Sequence, residues 1–338
     1  MLHIITGLFP CSLTGDDMNL SRIAAAISRV FATESIPQSV ALELLEFHTA
    51  LIDYILHERQ QGARALNVLG ICGPQGAGKT TLTRVLQTVL QEIAGLSVAV
   101  LSLDDLYLSS ADRRRLALEI HPLLRTRGVP GTHDVALGVQ LIERLLEAGS
   151  SQQTRLPWFN KALDEPCPLG EQPVFNGRAD LVILEGWCVG ARPQIQSALI
   201  EPVNELERQE DAGGNWRGYV NDQLTGPYQG LYGMLDRLLL LHAQRFEDIY
   251  AWRLMQEHKL AAKLRSSGAQ AGPTRLMSDE ELRRFIMHFE RLTRHILVEM
   301  PHRADVVAEI GPDRQVFAVQ RSDGSPLAAT PAPGPENM

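Results

Sequence analysis

The stretch Gly73-Pro74-Gln75-Gly76-Ala77-Gly78-Lys79-Thr80 matches the pattern G-x-x-x-x-G-K-[ST]. In such a loop the glycines let successive backbone N–H groups point at phosphate oxygens, the lysine reaches the β- and γ-phosphates, and the hydroxyl binds Mg²⁺. The preceding residues 66–72 are a short apolar run typical of a buried strand, and residues 80–92 have helical periodicity. Strand, loop and helix together place an anion at a positive helix N-terminus. The sequence therefore predicts a nucleoside triphosphate site.

The predicted nucleotide contacts include the whole loop and one residue beyond it. The expected positions are Gly73, Pro74, Gln75, Gly76, Ala77, Gly78, Lys79, Thr80 and Thr81. The expected ligands are ATP and Mg²⁺.

Composition narrows the class of protein. The 338 residues fit one enlarged domain or two, and the net charge of −8 argues against a nucleic acid or an anionic membrane as partner. Cys11, Cys72, Cys167 and Cys188 show no C-x-x-C spacing, which favours reduced thiols and a cytoplasmic location. The apolar start lacks a basic leader, and no segment reaches the length of a membrane span.

The chain divides into three predicted regions. Residues 1–65 form a helical extension with amphipathic helices at 21–33 and 37–59, which would cover one edge of the nucleotide domain or bind a partner. Residues 66–321 form the nucleotide domain. Residues 322–338, rich in Pro, Ala and Gly, are expected to be a disordered tail.

Within the nucleotide domain, strands alternate with helices. Further strand candidates lie at 96–103, 181–184, 238–241 and 306–310, and further helices at 135–147 and 278–299. This alternation predicts an α/β fold of the P-loop NTPase type, with a parallel sheet and helices on both faces. Residues 186–230 break the rhythm and are expected to form an irregular insertion.

Two acidic segments follow predicted strands. In open α/β sheets ligands bind outside the carboxyl ends of the strands, so Asp104 and Asp105 should face the phosphate loop, with Tyr107 close by. A carboxylate there can accept a hydroxyl proton during phosphoryl transfer, and Asp104 is the first candidate. Glu185 can position Mg²⁺ together with Thr80. The alternatives are an Asx turn or helix cap for the aspartates and an ordinary strand-end carboxylate for Glu185.

Cationic residues between these strands can hold an anionic substrate. Arg127 has the fork geometry that suits carboxylates and phosphates, and His133 and Lys161 add further donors. Asp134 either contacts the substrate or caps the following helix. Lys161 has the alternative of a solvated surface lysine.

Arg253, in the C-terminal part of the sequence, is a candidate for neutralising the negative charge of the transition state from a mobile segment. Its alternative is a surface ion pair with Glu257, four residues on.

These motifs together resemble the D-glycerate 3-kinase family of P-loop kinases, and more distantly uridine kinase, phosphoribulokinase and pantothenate kinase. Beyond the phosphate loop, the resemblance rests on residues 103–107, 127–134, 159–163, 184–187 and 252–257. The narrowest signals are the Arg-Gly-x-Pro-Gly-Thr-His-Asp run at 127–134 and the Glu-Gly-Trp at 185–187. The family often carries an aspartate where Asn160 stands.

The resemblance implies ATP-dependent phosphorylation of the 3-hydroxyl of D-glycerate, with Asp104 at the position proposed as base in related nucleoside kinases. Other acceptors remain open, since Tyr107, Trp158, Phe159 and Trp187 could form a slot for a nucleobase. A regulatory ATPase that binds a protein partner is a third hypothesis. The acids after the second strand favour the kinase, and a guanine-reading Asn-Lys-x-Asp is absent from the sequence.

Overall fold

The computed structural model describes residues 17–61, 65–255 and 277–327. In these ranges the α-helices are α1 (Asp17–Thr33), α2 (Gln38–Glu43), α3 (Leu45–Gln61), α4 (Lys79–Glu92), α5 (Ser110–Glu119), α6 (Val135–Glu147), α7 (Glu205–Glu210), α8 (Asn215–Thr225), α9 (Pro227–Tyr232), α10 (246–255) and α11 (Asp279–Glu299). The strands are β1 (Val68–Cys72), β2 (Val98–Ser102), β3 (Gln153–Arg155), β4 (Phe159–Asn160), β5 (Glu165–Pro166), β6 (Val174–Asn176), β7 (Leu181–Gly186), β8 (Arg237–Ala243), β9 (Val306–Ile310) and β10 (Val316–Arg321).

The main sheet has the strand order β10-β9-β8-β1-β7-β2. The strands from β9 to β2 are parallel to their neighbours, as predicted. The edge strand β10 was not predicted and runs antiparallel to β9. It has a four-residue apolar run from Val316 to Val319, but only Val319 of the strand is buried, as is usual for an antiparallel strand at the edge of a sheet. β3 pairs with β6 and β4 with β5 as two small antiparallel ladders.

Helices cover both faces of the main sheet, which confirms the predicted layers. Alternate strand residues face opposite cores: Leu69 and Ile71 join one apolar cluster, whereas Val68 and Cys72 join the other. The first cluster is completed by α1, α3 and α4, and the second by α6, α8 and α9. α11 contributes to both, and it starts at a capping box formed by Ser278 and Glu281.

The N-terminal helices are present, but they lie differently from the expectation. They cover a face of the sheet rather than an edge, because Ile27, Leu51 and Ile55 pack in the same cluster as Leu86 and Leu239. The second predicted helix is divided into α2 and α3, with Leu44 between them. These helices therefore belong to the core of the fold.

The segment 186–230 is more regular than expected, since it contains most of three short helices. Leu206, Trp216 and Leu224 are buried there, so apolar burial orders a segment whose Gly, Asn and acidic content suggested a loop. The carboxylate of Asp211 accepts hydrogen bonds from the backbone N–H groups of Trp216 and Arg217 at 2.8 and 3.1 Å and so ties α7 to α8.

The C-terminal boundary also lies later than expected. Leu327 is buried and its N–H donates to the carbonyl of Val319 at 2.8 Å, so the chain is folded beyond Ser322. Residues 328–338, the rest of the tail predicted to be disordered, lie outside the described residues, as do Cys11 and Glu257. The other three cysteines are buried free thiols. Among the helices that the structure describes, none is long and apolar enough to cross a membrane.

Because α3 packs into the core, truncating one of its buried side chains should lower the free energy of unfolding. Leu51 is 0% exposed whereas Leu42 in α2 is 69% exposed. Leu51→Ala should lower the free energy of unfolding by about 2–5 kcal/mol, because it removes buried methyl groups and leaves a cavity. Leu42→Ala is the matched control and should change it by less than about 0.5 kcal/mol. Urea denaturation measures both, and equal effects would contradict the integration of the N-terminal helices into the core.

Candidate active site

A cavity of about 820 Å³ opens at the carboxyl ends of β1, β2 and β7. Ten of the predicted site residues line it: Gln75, Gly76, Lys79, Thr80, Asp104, Tyr107, Arg127, Lys161, Glu185 and Arg253. Because β2, β7 and β1 are adjacent parallel strands, the loops that follow them meet at one edge. The topology thus brings together segments that are about a hundred residues apart in the chain.

The loop after β1 has the backbone that a phosphate cradle requires. Gly76 and Gly78 have φ values of +86° and +89°, in the region that L side chains rarely adopt. Gly73 is required for space, because a Cβ there would lie 2.8 Å from the Cβ of Leu241 in β8. Lys79 then begins α4, so the first N–H groups of that helix face the loop.

Lys79 and Thr80 fit the phosphate end of a nucleotide. The Lys79 ammonium group donates to the carbonyls of Gly73 and Pro74 at 2.8 and 3.1 Å, which holds it across the loop. Glu185 is buried at the end of β7, in register with Ile71 of β1. A magnesium ion keeps several waters and needs only one or two protein ligands. Thr80 and Glu185, which line the same cavity, suit such an ion.

Asp104 lies at the centre of a hydrogen-bonded cluster. Its Oδ1 accepts from the Tyr107 hydroxyl at 2.6 Å and its Oδ2 from the Lys161 ammonium at 2.7 Å. Burial disfavours the charged carboxylate, but the charge of Lys161 and the hydrogen bonds from Lys161 and Tyr107 outweigh it and lower the pKa of Asp104. Asp104 is therefore an ionised carboxylate facing the cavity.

Asp105 has a different environment from its neighbour. Its Oδ1 accepts from the Phe159 N–H at 3.0 Å, which attaches the β4–β5 hairpin to the end of β2. Burial raises the pKa of Asp105 to about 6, with the charges of Asp104 and Glu185 adding to the effect. The two adjacent carboxyl groups thus differ in pKa: Asp104 ionises more readily than an exposed aspartate and Asp105 less readily.

Arg127 reaches the cavity over two aromatic rings. Its guanidinium carbon lies 6.0 Å from the ring centroid of Tyr107 and 5.6 Å from that of Phe159. It also forms an ion pair with Asp164. Asp164 is anchored in turn by the buried Arg113 at 2.7 Å. This chain of contacts fixes a cation on the wall of the cavity.

Lys161 projects from the turn of the β4–β5 hairpin. The Oδ1 of Asn160 accepts from the N–H groups of Ala162 and Leu163 at 3.0 and 3.1 Å and closes an Asx-type turn. The D-glycerate 3-kinase family often carries an aspartate at this position. An aspartate would offer the same acceptor atom. Asn160 itself also lines the cavity.

His133 lies behind the cavity wall and is not among its lining residues. Its ring stacks on Tyr107 with a centroid separation of 4.8 Å, and its Nδ1 lies 2.5 Å from the Tyr228 hydroxyl. Burial lowers the pKa of His133 to about 4, opposed in part by Asp104. A neutral imidazole in this position supports Tyr107, and contact between His133 and a substrate in the cavity would require movement.

The structure places other predicted residues in supporting positions. Asp134 caps α6, since its Oδ1 accepts from the Leu137 N–H at 2.9 Å, and it does not line the cavity. The helix-cap alternative for Asp134 thus describes the observed contact. Among the predicted nucleotide contacts, those that shape the loop without lining the cavity are Gly73, Pro74, Ala77, Gly78 and Thr81.

Arg253 enters the cavity from α10, a helix that follows β8. The structure therefore brings the charge of Arg253 to the same space as the phosphate loop. Its alternative partner Glu257 lies outside the described residues.

Sequence reasoning missed several lining residues. Thr83, Arg84 and Gln87 follow Thr80 at helical spacing, and that periodicity was the available signal. Arg84 also pairs with Glu34 near the end of α1. Phe285 comes from α11, over a hundred residues from the phosphate loop in sequence, and no local pattern marked it.

Comparison with known proteins assigns the chain to a family. It is 34% identical over 229 residues to the uncharacterized kinase mug58 of Schizosaccharomyces pombe, covering 66% of this chain and 78% of the relative. The chain belongs to this family of ATP-dependent P-loop kinases. The probable ATP-dependent kinase TDA10 of Saccharomyces cerevisiae is 26% identical over 255 residues, covering 72% of this chain and 82% of the relative.

The fold of this kinase is also that of a solved enzyme. A D-glycerate 3-kinase from Cryptococcus neoformans superposes with a TM-score of 0.64 at 24% identity, covering 82% of this kinase and 98% of that chain. No protein-family model matches the sequence. The predicted fold class and the resemblance to P-loop kinases are confirmed by these similarities and by the sheet topology.

The raised pKa of Asp105 predicts a pH-dependent stability. Its folded pKa of about 6 exceeds that of an exposed aspartate, so folding favours the protonated carboxyl and this contribution is lost as the pH rises through 6. Asp105→Asn keeps an acceptor for the Phe159 N–H without the charge. It should therefore raise the free energy of unfolding by about 1–3 kcal/mol at pH 8, with the gain vanishing near pH 4.

Urea denaturation of the wild type and of Asp105→Asn at several pH values between 4 and 8 measures this difference. Glu119→Gln, at an exposed position on α5, controls for the loss of a carboxyl. A stability difference between wild type and Asp105→Asn that does not change with pH would contradict the assignment.

Proposed function

We propose that this kinase transfers the γ-phosphate of Mg-ATP to a hydroxyl of a small anionic acceptor, and that the acceptor is D-glycerate, phosphorylated at its 3-hydroxyl. The proposal rests on the kinase family to which the chain belongs and on the charge of the acceptor side of the cavity. We further propose that the kinase is cytoplasmic and that the individual residues have the roles given below.

The guanidinium of Arg127 over the rings of Tyr107 and Phe159 is the observation that carries the choice of acceptor. A nucleobase acceptor needs open aromatic faces on which to stack. Here those two rings are 8% and 2% exposed, so the wall beside Arg127 offers a cation. Trp158, which also lines the cavity, is 52% exposed and is the aromatic face that a nucleobase acceptor would use. A guanidinium fork suits the carboxylate of a compact acid such as glycerate.

The residues of the phosphate loop supply the nucleotide end of the site. The N–H groups around Gly76 and Gly78, with the Lys79 ammonium, would hold the β- and γ-phosphates, and Thr80 and Glu185 would hold Mg²⁺. The ion supplies neutralisation of the charge that develops on the transferred group. Arg253 adds a positive charge on the same side of the cavity.

Asp104 is proposed to orient the acceptor hydroxyl and take its proton. In direct in-line transfer the acceptor oxygen forms a bond to the γ-phosphorus, the bond from that phosphorus to the bridging oxygen breaks, and ADP leaves with those electrons. The proton of the hydroxyl passes to the carboxylate of Asp104. No phosphoenzyme is needed, because both reactants can occupy the same cavity.

The similarity of fold to the Cryptococcus D-glycerate 3-kinase supports the same acceptor. At 24% identity that similarity concerns the fold, and the charge of the cavity wall is the argument for an anionic acceptor.

The first test is ADP release with Mg-ATP against a panel of D-glycerate, L-glycerate, uridine, pantothenate and no acceptor. We expect turnover with D-glycerate and a phosphate on its 3-oxygen, detected by NMR. Turnover with another acceptor alone would retain the kinase and reject glycerate. ATP binding without turnover of any acceptor would favour a regulatory ATPase.

The role of Asp104 predicts a specific kinetic defect. Asp104→Asn should lower kcat by about 10²–10⁴ because the amide cannot accept the hydroxyl proton. ATP binding, measured by calorimetry, should be retained, since the phosphate loop is unchanged.

Asp222→Asn, at an exposed position of α8, is the matched control and should leave kcat unaltered. A near-normal kcat in Asp104→Asn would remove Asp104 from the role of base and transfer it to Asp105.

A further inference from the structure

The proposed base is held by a cation that belongs to the same cavity. The Nζ of Lys161 lies 2.7 Å from Oδ2 of Asp104, while the Tyr107 hydroxyl occupies Oδ1 at 2.6 Å. A positive charge so close to a carboxylate stabilises its ionised form and weakens its ability to take a proton. The observed arrangement therefore keeps Asp104 charged but poorly basic.

The backbone of the hairpin around Lys161 is held in place by hydrogen bonds and an ion pair, whereas the side chain of Lys161 has room to reorient. The backbone is held by Asn160 within the turn and by Asp105, which accepts from the Phe159 N–H at 3.0 Å. On the other side of the turn, Asp164 is anchored by Arg113 at 2.7 Å. The side chain of Lys161 itself is 58% exposed, and its four-carbon stem can reorient without movement of the backbone.

The contact between Lys161 and Asp104 is also one that a ligand can replace. The side chain of Lys161 is 58% exposed and that of Asp104 only 32%, so the carboxylate is partly shielded from water while the ammonium group can exchange one anion for another without being buried. An acceptor carboxylate that enters beside Arg127 offers Lys161 another anion with similar hydrogen-bonding capacity. Asp164 is already engaged by Arg113 and Arg127 and does not compete for Lys161.

We propose that Lys161 is a specificity-determining residue that masks Asp104 until the carboxylate of an acidic acceptor draws its ammonium group away. The inference rests on the proposed function of the site as a kinase for an anionic alcohol. Binding of the acid unmasks Oδ2 of Asp104, which then receives the proton of the acceptor hydroxyl. A neutral alcohol of the same size lacks the group that releases Lys161, and water cannot release it either.

This arrangement gives Lys161 two opposite effects that a simple binding residue would not have. It favours an anionic acceptor by contact, and it suppresses reaction with neutral acceptors and with water. Removal of its charge should therefore weaken one reaction and accelerate the others.

The test compares wild type, Lys161→Met and Lys161→Arg with Mg-ATP and no acceptor, with glycerol, and with D-glycerate. Lys161→Met should raise acceptor-free ATP hydrolysis by about tenfold, a part of the 10²–10⁴ that a positioned base contributes. It should raise kcat with glycerol while lowering kcat/KM for D-glycerate by about 10- to 100-fold. Lys161→Arg should restore much of the wild-type discrimination.

Two controls separate masking from disturbance of the fold. Arg115→Met removes an exposed positive charge on α5, 3.5 Å from Asp112, and should leave all three reactions unchanged. The double variant Lys161→Met with Asp104→Asn should lose the added hydrolysis, because the unmasked base is then absent.

Unchanged or reduced ATP hydrolysis and glycerol turnover in Lys161→Met would overturn the proposal and leave Lys161 as a binding residue. So would added hydrolysis that survives Asp104→Asn. Failure of the proposed function has a separate signature, since wild type would then not phosphorylate D-glycerate. The acceptor-free hydrolysis of the variants tests the masking of Asp104 in either case.

Discussion

The burial of β1 on both faces is the constraint from which the geometry of the crevice follows. β1 lies between β7 and β8 and is buried between two apolar clusters. The chain can therefore turn away from the sheet only at the end of this strand. There the chain passes so close to Leu241 of β8 that glycine is required at position 73. The phosphate loop and the start of α4 are thereby directed toward the ends of β2 and β7. The acids that follow those strands face the loop because parallel strands all end at the same edge.

Charge in the crevice is arranged by short local anchors. Asp105 fixes the β4–β5 hairpin through the Phe159 N–H, and Arg113 holds Asp164, which in turn pairs with Arg127. The backbone around Lys161 and the guanidinium of Arg127 are thus held by groups that are not themselves the proposed base. The cavity thus contains positive charge although the net charge of the chain is −8. The net charge therefore does not indicate the charge of the ligand that this site would bind.

The sequence was most informative where a motif is compact and its strand is buried on both sides. It was possible to predict the loop at 73–80, the acids at 104 and 185 and the inner strands. The reason is that a continuous apolar run followed by a polar turn is typical of a buried strand that ends in a loop. β10 was missed because it is a half-exposed edge strand. The helices within 186–230 were missed because their order depends on distant burial of residues such as Trp216.

Side-chain environment was harder to predict than position. His133 lies in a motif that suggests contact with substrate, yet it stacks behind Tyr107, and nothing in the local sequence indicates which side of the wall it occupies. The contrast between Asp104 and Asp105 likewise arises from partners far along the chain, namely Lys161 and the Phe159 N–H. Phe285 reaches the cavity only through the packing of α11.

The pairing of Glu34 with Arg84 links the N-terminal helices to the nucleotide side of the cavity. Together with the apolar cluster shared by α1, α3, α4 and the sheet, it means that the phosphate loop cannot be separated from those helices as an independent unit. A fragment that begins at residue 66 would expose a broad apolar surface to water and would tend to aggregate. A substitution on one side of this interface therefore alters the packing of the other side, so the stability of the nucleotide site depends on residues of α1 and α3 that never touch the cavity.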